Sequence, residues 1–175
     1  MSDSGFGANN STHPAPARVT RWWWVRHAPV TADKGRIYGQ VDIACDVSDA
    51  AGFAVLARRL PKGAVWVTSH LQRTKQTAAA IAAAGLAYDP PAEERDFAEQ
   101  HFGAWQGQNR AEIFRRHGAD HGMWLAPAEF CPPGGESFAA LMARVVRGIA
   151  RWNAAHPGRD IVAVAHGGTI RAALG

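Results

Sequence analysis

Histidine and arginine side chains follow three short apolar runs of the sequence. Arg26 and His27 come directly after the first run. Arg73 lies a few residues after the second run, and His166 follows the third. Ligands of open α/β sheets bind in the crevice outside the carboxyl ends of the strands. If the three runs are parallel strands, these side chains meet at one edge of the sheet.

These residue types together suit the transfer of a phosphoryl group. The guanidinium groups of Arg26 and Arg73 match phosphate oxygens and keep their charge at every relevant pH. A neutral imidazole such as that of His27 can attack phosphorus and form a phosphohistidine, which divides one difficult displacement into two. His166 then serves as an electrostatic partner of the phosphoryl oxygens. Backbone N–H groups from Gly167 onward add donors at a helix start.

The apolar runs and the patterns between them set the expected fold class. Short apolar runs predict three buried strands, and apolar residues at helical spacing with glycine or proline stops predict four helices. The strands are residues 19–25, 64–68 and 161–165, and the helices are residues 48–60, 73–84, 110–117 and 137–156. Strand followed by helix, repeated, predicts an α/β sandwich with a largely parallel sheet covered on both faces.

The length and the composition fit one globular domain. Residues 1–17 are polar and rich in Ser, Asn, Gly and Pro, which predicts a flexible N-terminal tail in front of a domain over residues 18–175. The segment 89–133 is loop-rich, and we expect it to fold over the sheet edge as a lid or a wall.

Charge and cysteine usage argue against several classes of partner. Nineteen Lys and Arg against fifteen Asp and Glu give a formal charge of +4, which is too small to predict nucleic-acid binding. No apolar run approaches the roughly 20 residues of a membrane-spanning helix. Cys45 and Cys131 belong to no CxxC pattern and follow no secretion signal, so we expect reduced thiols in a cytoplasmic protein. The sequence leaves the oligomeric state open.

Five motifs in the sequence resemble, in order, those of the histidine phosphatase (phosphoglycerate mutase-like) superfamily. They are Val25-Arg26-His27, residues 68–78 with Arg73, residues 99–107, Pro133-Gly134-Gly135-Glu136-Ser137, and Val164-Ala165-His166-Gly167-Gly168. The small size and the run 102–107 resemble the α-ribazole phosphatase-like branch. Members commonly continue beyond the position of Gly175, so we expect a domain that is truncated at its C-terminus.

The resemblance implies a fold, a mechanism and a set of site residues. The implied fold is a three-layer α/β/α sandwich, and the implied reaction is hydrolysis of a small phosphorylated metabolite through a phosphohistidine, with neither metal nor cofactor. The implied catalytic residues are His27, His166 and Glu99, the last as proton donor. The implied phosphate-binding residues are Arg26, Arg73, Gly39 and Gly167.

The sequence departs from the family pattern in the loop after His27. Members usually have Gly and Glu after the Arg-His pair, whereas this chain has Ala and Pro. The asparagine that many members place on the phosphate has no counterpart, because Asp33 lies near that position and a carboxylate would repel a phosphate. Arg36 is a candidate for the mouth of the pocket, and His70 is a candidate for its rim.

Three alternatives stay open. A cofactor-dependent phosphoglycerate mutase shares the pocket, although mutases usually carry a longer insertion than the segment between Gly107 and Gly134. A non-catalytic phosphate-binding module of the same fold needs the arginines but neither nucleophile nor proton donor. His117 and His121 suggest a metallohydrolase, but Gly118 interrupts their helix and no HExxH pattern is present. We favour the phosphatase, whose physiological substrate the sequence does not identify.

Overall fold

The computed structural model describes residues 18–117 and 127–175. It contains a four-stranded sheet made of β1 (Arg21–Arg26), β2 (Val65–Thr68), β3 (Ala92–Glu93) and β4 (Asp160–Ala165). The strands are parallel, in the order β1-β4-β2-β3, so their carboxyl ends lie at one edge of the sheet. The predicted N-terminal tail and His121 lie outside the described residues.

The described residues also form five α-helices and two short 3-10 helices. They are α1 (Ala50–Arg59), α2 (Gln72–Ala83), α3 (Arg110–His117), α4 (Phe138–Ala155) and α5 (Gly167–Leu174), with 3-10 helices at Arg95–Phe97 and Gly103–Trp105. The Asp49 side chain caps α1 and the Ser137 side chain caps α4, which explains why both helices begin close to their predicted starts. None of the helices in the described part of the chain combines the length and apolar content needed to cross a membrane.

Helices cover both faces of the sheet. Phe53 of α1 and Ile81 of α2 belong to the core on one face, together with Val162 of β4. Leu141 of α4 packs on the opposite face with Ile161. Successive residues of a strand point to opposite faces, so β4 contributes to both layers. The predicted three-layer sandwich with a parallel sheet is confirmed.

The first strand is less buried than predicted. Within the described chain, β1 pairs with β4 on one side only and forms an edge of the sheet. Val19 precedes the strand and is exposed, and Trp23 is 38% exposed. Trp22 and Trp24 stack on each other and pack against Phe97. The apolar triplet therefore marks an edge strand that is covered on one face, because alternate side chains of a strand face opposite ways.

The loop-rich region forms a wall beside the sheet. Of the predicted segment 89–133, residues 118–126 lie outside the described residues. We use the name wall segment for residues 89–117, which run from the approach to β3 to the end of α3. Phe102, Trp105 and Ile113 of this segment form a small buried cluster with Ile37 from the loop after β1. The cluster fastens the wall segment to that loop, as expected for a wall at the sheet edge.

Candidate active site

His27 lies directly beyond the end of β1. Its backbone N–H donates to the Ala165 carbonyl (2.9 Å), and its side chain is buried. Nδ1 lies 2.7 Å from the Ala28 carbonyl oxygen. Because a carbonyl only accepts hydrogen bonds, Nδ1 carries the proton, and Nε2 of the neutral ring keeps its lone pair. Nε2 is therefore the atom of this ring that can act as a nucleophile.

Burial and nearby positive charge keep the His27 ring neutral. Burial is the main cause that lowers its pKa to about 4, and Arg73 and Arg26 lower it further, whereas the hydrogen bond to Ala28 acts in the opposite direction. A basic group with a lowered pKa stays unprotonated at every pH above that value. The ring is thus in its nucleophilic form throughout the neutral range.

His166 follows β4 and is fully buried. Its ring centre lies 5.3 Å from that of His27. Nδ1 accepts a hydrogen bond from Arg73 Nε (3.3 Å), and Nε2 lies 2.7 Å from Ser69 Oγ. Since Nδ1 is the acceptor, Nε2 carries the hydrogen and donates to Ser69.

The charge state of His166 qualifies its expected electrostatic role. Burial, followed by the charge of Arg73, holds its pKa well below the usual range. The ring is therefore neutral, and both of its nitrogens are engaged by the protein. It can bind a phosphoryl oxygen directly only after it gains a proton or releases Ser69. In the arrangement described, its direct effect is to orient Arg73.

Arg73 lies in the first turn of α2 and is fully buried beneath the strand ends. Nη1 donates to the Val41 carbonyl (2.9 Å) and Nη2 to the Gly39 carbonyl (2.6 Å). The Tyr38 ring lies 5.1 Å from its guanidinium carbon. Together with the bond to His166, three of the five N–H donors of this arginine are used inside the described protein. The other two can donate to an anion.

Glu99 lies on the wall segment, opposite the strand ends. Its Oε1 accepts hydrogen bonds from the backbone N–H groups of Gln100 (2.9 Å) and Gly168 (3.1 Å). Burial raises the pKa of Glu99 above its usual range, while these two hydrogen bonds and the charges of Arg73 and Arg26 oppose the shift. A carboxyl group with a raised pKa can retain a proton for transfer to a leaving group.

A cavity of about 460 Å³ opens at this edge of the sheet. Four of the predicted site residues line it, namely Arg26, Gly39, Glu99 and Gly167. His27 lies on two adjoining cavities of about 330 and 310 Å³, and Arg26 lines all three. Arg73 and His166 lie beneath this surface. The structure thus brings all seven predicted site residues to one edge of the sheet.

Some residues of the cavity wall were not selected from the sequence. They are Ile37, Tyr38, Gln100, Phe102, Arg110, Gly168 and Arg171. Two of them could have been predicted from their spacing to site residues, because Tyr38 precedes Gly39 and Arg171 lies about one helical turn after Gly167. Ser69 gave no such signal, since its role depends on a contact with a distant histidine.

Three further candidates have defined surroundings. Asp33 lies 3.7 Å from the Arg110 guanidinium group, on the wall of a side cavity. Arg36 donates to the Gly107 carbonyl (2.6 Å) and is not part of the main cavity wall. Nδ1 of His70 is buried and has no hydrogen-bond partner within the described chain. Residues 18–117 and 127–175 contain no group of three His, Cys, Asp or Glu side chains that could hold a metal ion.

Comparison with known proteins places this geometry in a family context. A family model for the histidine phosphatase superfamily (branch 1) matches residues 22–175. A protein of Mycobacterium tuberculosis (strain H37Rv) described as bifunctional is 42% identical over 120 residues, which are 69% of this chain and 32% of the relative. The chain therefore spans about a third of that relative's length.

Two further relatives match more of their own length. The glucosyl-3-phosphoglycerate phosphatase of Mycolicibacterium vanbaalenii is 32% identical over 169 residues, covering 89% of this chain and 72% of the relative. A solved mycobacterial glucosyl-3-phosphoglycerate phosphatase in complex with VO3 superposes with a TM-score of 0.71 at 28% identity. That match covers 85% of this chain and 77% of the solved one.

Proposed function

Because this chain belongs to the histidine phosphatase superfamily, we propose that it hydrolyses phosphate monoesters of small metabolites through a phosphohistidine at His27. The observation that carries the proposal is the state of that ring. Its Nδ1–H is bonded to the Ala28 carbonyl (2.7 Å), so the Nε2 lone pair is left for attack on phosphorus. Arg26 and Arg73 supply positive charge beside it. Membership of the α-ribazole phosphatase-like branch stays a prediction.

The reaction proceeds in two displacements. In the first, His27 Nε2 forms a bond to phosphorus as the bond from phosphorus to the ester oxygen breaks, and Glu99 gives its proton to the departing oxygen. In the second, the Glu99 carboxylate takes a proton from water, and the water oxygen displaces Nε2 from phosphorus. Inorganic phosphate leaves, and both side chains return to their starting states.

Arginines and backbone donors hold the phosphoryl group in this scheme. Arg26 and the two available N–H donors of Arg73 bind its oxygens, since guanidinium groups match phosphate geometry. The N–H groups at Gly167 add donors at the start of α5, where a helix favours an anion. Gly39 contacts the substrate from the loop after β1. His166 supports this arrangement through Arg73.

The cavity also supports a substrate with a second negative group. Arg110 and Arg171 line it together with Arg26, whereas Glu99 is the one acidic residue among the described residues of its wall. These positive charges would attract a carboxylate or a second phosphate. The relative that is named for glucosyl-3-phosphoglycerate fits the same chemistry, because that compound carries a carboxylate besides its phosphate. We therefore favour phosphorylated acids as substrates.

Hydrolysis is preferred over the two alternatives of the same fold. A phosphoglycerate mutase must hold and reorient a bisphosphorylated intermediate, and the short segment between Gly107 and Gly134 argues against that activity. A binding module needs neither His27 nor Glu99, yet both are present and oriented by hydrogen bonds. A cytoplasmic location, and the absence of nucleic-acid, membrane, metal and cofactor partners, stay predictions.

Phosphate release from p-nitrophenyl phosphate tests the proposal. We expect turnover that excess EDTA does not change, and an acid-labile, base-stable phosphoryl adduct that maps to His27. Binding of vanadate without any turnover would instead support a binding module. Activity that EDTA removes and one divalent ion restores would contradict metal independence.

A substrate screen tests the finer proposal. It compares 3-phosphoglycerate with glycerol 3-phosphate, which lacks the carboxylate, and we expect the lower KM for the acid. Interconversion of 2- and 3-phosphoglycerate is followed in the same reactions. Interconversion that is faster than phosphate release would favour the mutase.

A further inference from the structure

Arg144 of α4 uses all five of its N–H donors within the protein. Nε and Nη2 donate to the two carboxylate oxygens of Glu136, at 3.0 and 2.7 Å. Nη1 donates to the Asp96 and Ala98 carbonyls (2.7 and 2.8 Å), and Nη2 also donates to the Glu99 carbonyl (2.9 Å). An arginine has five N–H donors, so this side chain is committed to the residues that lead up to and include Glu99.

Glu136 makes the matching contacts on the other side of Glu99. Its Oε1 accepts the His101 N–H (2.8 Å), and its backbone N–H donates to the His101 carbonyl (2.8 Å). Its carbonyl accepts a hydrogen bond from the Gln100 side chain (3.0 Å). We call Arg144 and Glu136 the clamp, because together they hold the backbone before, at and after Glu99.

We propose that the clamp positions Glu99 as the proton donor, an inference that rests on the proposed function. The Glu99 carbonyl is held by Arg144 and by the Gln40 side chain (2.8 Å). Its carboxylate oxygen is held by the N–H groups of Gln100 and Gly168. Neither residue of the clamp lines the main cavity, so both act through Glu99 and are positioning residues.

The need for a clamp follows from the local backbone. Glu99 lies between two short 3-10 helices and belongs to no α-helix or strand of the described chain, so no regular series of backbone hydrogen bonds fixes it. The clamp is also well shielded, with Arg144 and Glu136 side chains 12% and 19% exposed. Removal of one partner from such a pair leaves the other charge uncompensated, so the clamp acts as a unit.

Arg147 provides a matched control on the same helix. It lies one turn after Arg144 in α4 and forms an ion pair with Asp96 at 3.5 Å. Its side chain, however, is 61% exposed. Exposed pairs contribute little energy, so R147Q changes the charge of α4 without loosening Glu99.

Burst kinetics on the full chain test the proposal with two substrates. For R144Q we expect the rate of phosphoenzyme formation from an alkyl phosphate to fall about 100-fold, the cost of misplacing a group by about 1 Å. The rate with p-nitrophenyl phosphate should fall much less, because its leaving group needs little protonation. R144K, which keeps the charge and fewer donors, should lie between wild type and R144Q. R147Q should match wild type with both substrates.

The ratio of the two burst rates decides the outcome. If R144Q and R144K lose the same factor in burst rate with both substrates, the ratio is unchanged and the proposal that the clamp positions Glu99 is wrong. If R144Q does not fold, E136Q and R144K provide the same ratio and the same test, with circular dichroism to confirm their folding. Failure of the proposed function is separate, because wild-type protein would then release no phosphate from either substrate.

Discussion

The strand-end residues and the wall segment are held in place by different means. His27 and His166 follow the neighbouring strands β1 and β4, whose register pairs Arg26 with Ala165. Parallel pairing therefore sets the spacing of the two rings before any side-chain contact is made. Glu99, which faces them, is fixed by individual side chains that reach its backbone, those of Gln40 and Arg144.

The difference indicates how each half of the site can fail. A side-chain substitution at a strand end removes chemistry but leaves the sheet, so binding should survive. A substitution around Glu99 displaces its carboxyl group. The loss of rate should therefore depend on how much the leaving group needs a proton. The predictions below test this contrast, and the experiment on the clamp belongs with them.

Replacement of the nucleophile gives the largest expected effect. H27A should reduce turnover by roughly a millionfold, the loss that accompanies removal of a covalent nucleophile. Vanadate should still bind, because Arg26 and Arg73 remain, and isothermal titration calorimetry measures this. A variant with full activity, or an adduct on another residue, would show that the strand-end half does not carry the reaction as we propose.

Replacement of the proton donor gives the next largest effect. E99Q should slow phosphoenzyme formation from alkyl phosphates by roughly 100- to 10,000-fold, the usual contribution of a general acid. The loss with p-nitrophenyl phosphate should be much smaller in a burst measurement, which separates this step from dephosphorylation. E129Q, at an exposed position, is the control. Equal losses for both substrates would mean that Glu99 is structural.

The same variant has an expected pH dependence. Burial raises the pKa of Glu99, and a general acid must be protonated to act, so the wild-type burst rate of phosphoenzyme formation from alkyl phosphates should fall as the pH rises through that value. In E99Q this alkaline limb should disappear, because the amide does not titrate. His27 should not limit the rate on the acid side until the pH approaches about 4, where its ring gains a proton. A pH–rate profile measures both limbs.

Replacement of Ser69, the hydrogen-bond partner of His166, gives the smallest effect. S69A leaves the buried Nε2–H of His166 without an acceptor, which should lower the free energy of unfolding by about 1–3 kcal/mol. Urea denaturation measures the change, with the exposed S48A as a control that should stay within about 0.5 kcal/mol of wild type. Turnover should fall less than in H27A or E99Q. Unchanged stability would mean that another group satisfies His166.

The strand-end residues and the surroundings of Glu99 also differ in how far the sequence predicts them. Apolar runs and helix stops predict β1, β2, β4 and the helices α1 to α4, but not the two-residue strand β3. The positions of His27, Arg73 and His166 follow from these elements, because strand ends are set by local pattern. Glu99 follows only from a resemblance to family motifs, since no local pattern marks a proton donor. Ser69 and Arg144 were not predicted, because their hydrogen bonds join residues that lie far apart in the chain.

The edge position of β1 also bears on how the protein folds. β1 pairs only with β4 within the described chain, so it can pair only after the whole intervening chain has been made. Pairings between distant segments are slow to form, and domains are synthesised from the N-terminus. His27 therefore leaves the ribosome long before its site exists. In refolding experiments, the proposed phosphatase activity should return with the slowest structural phase.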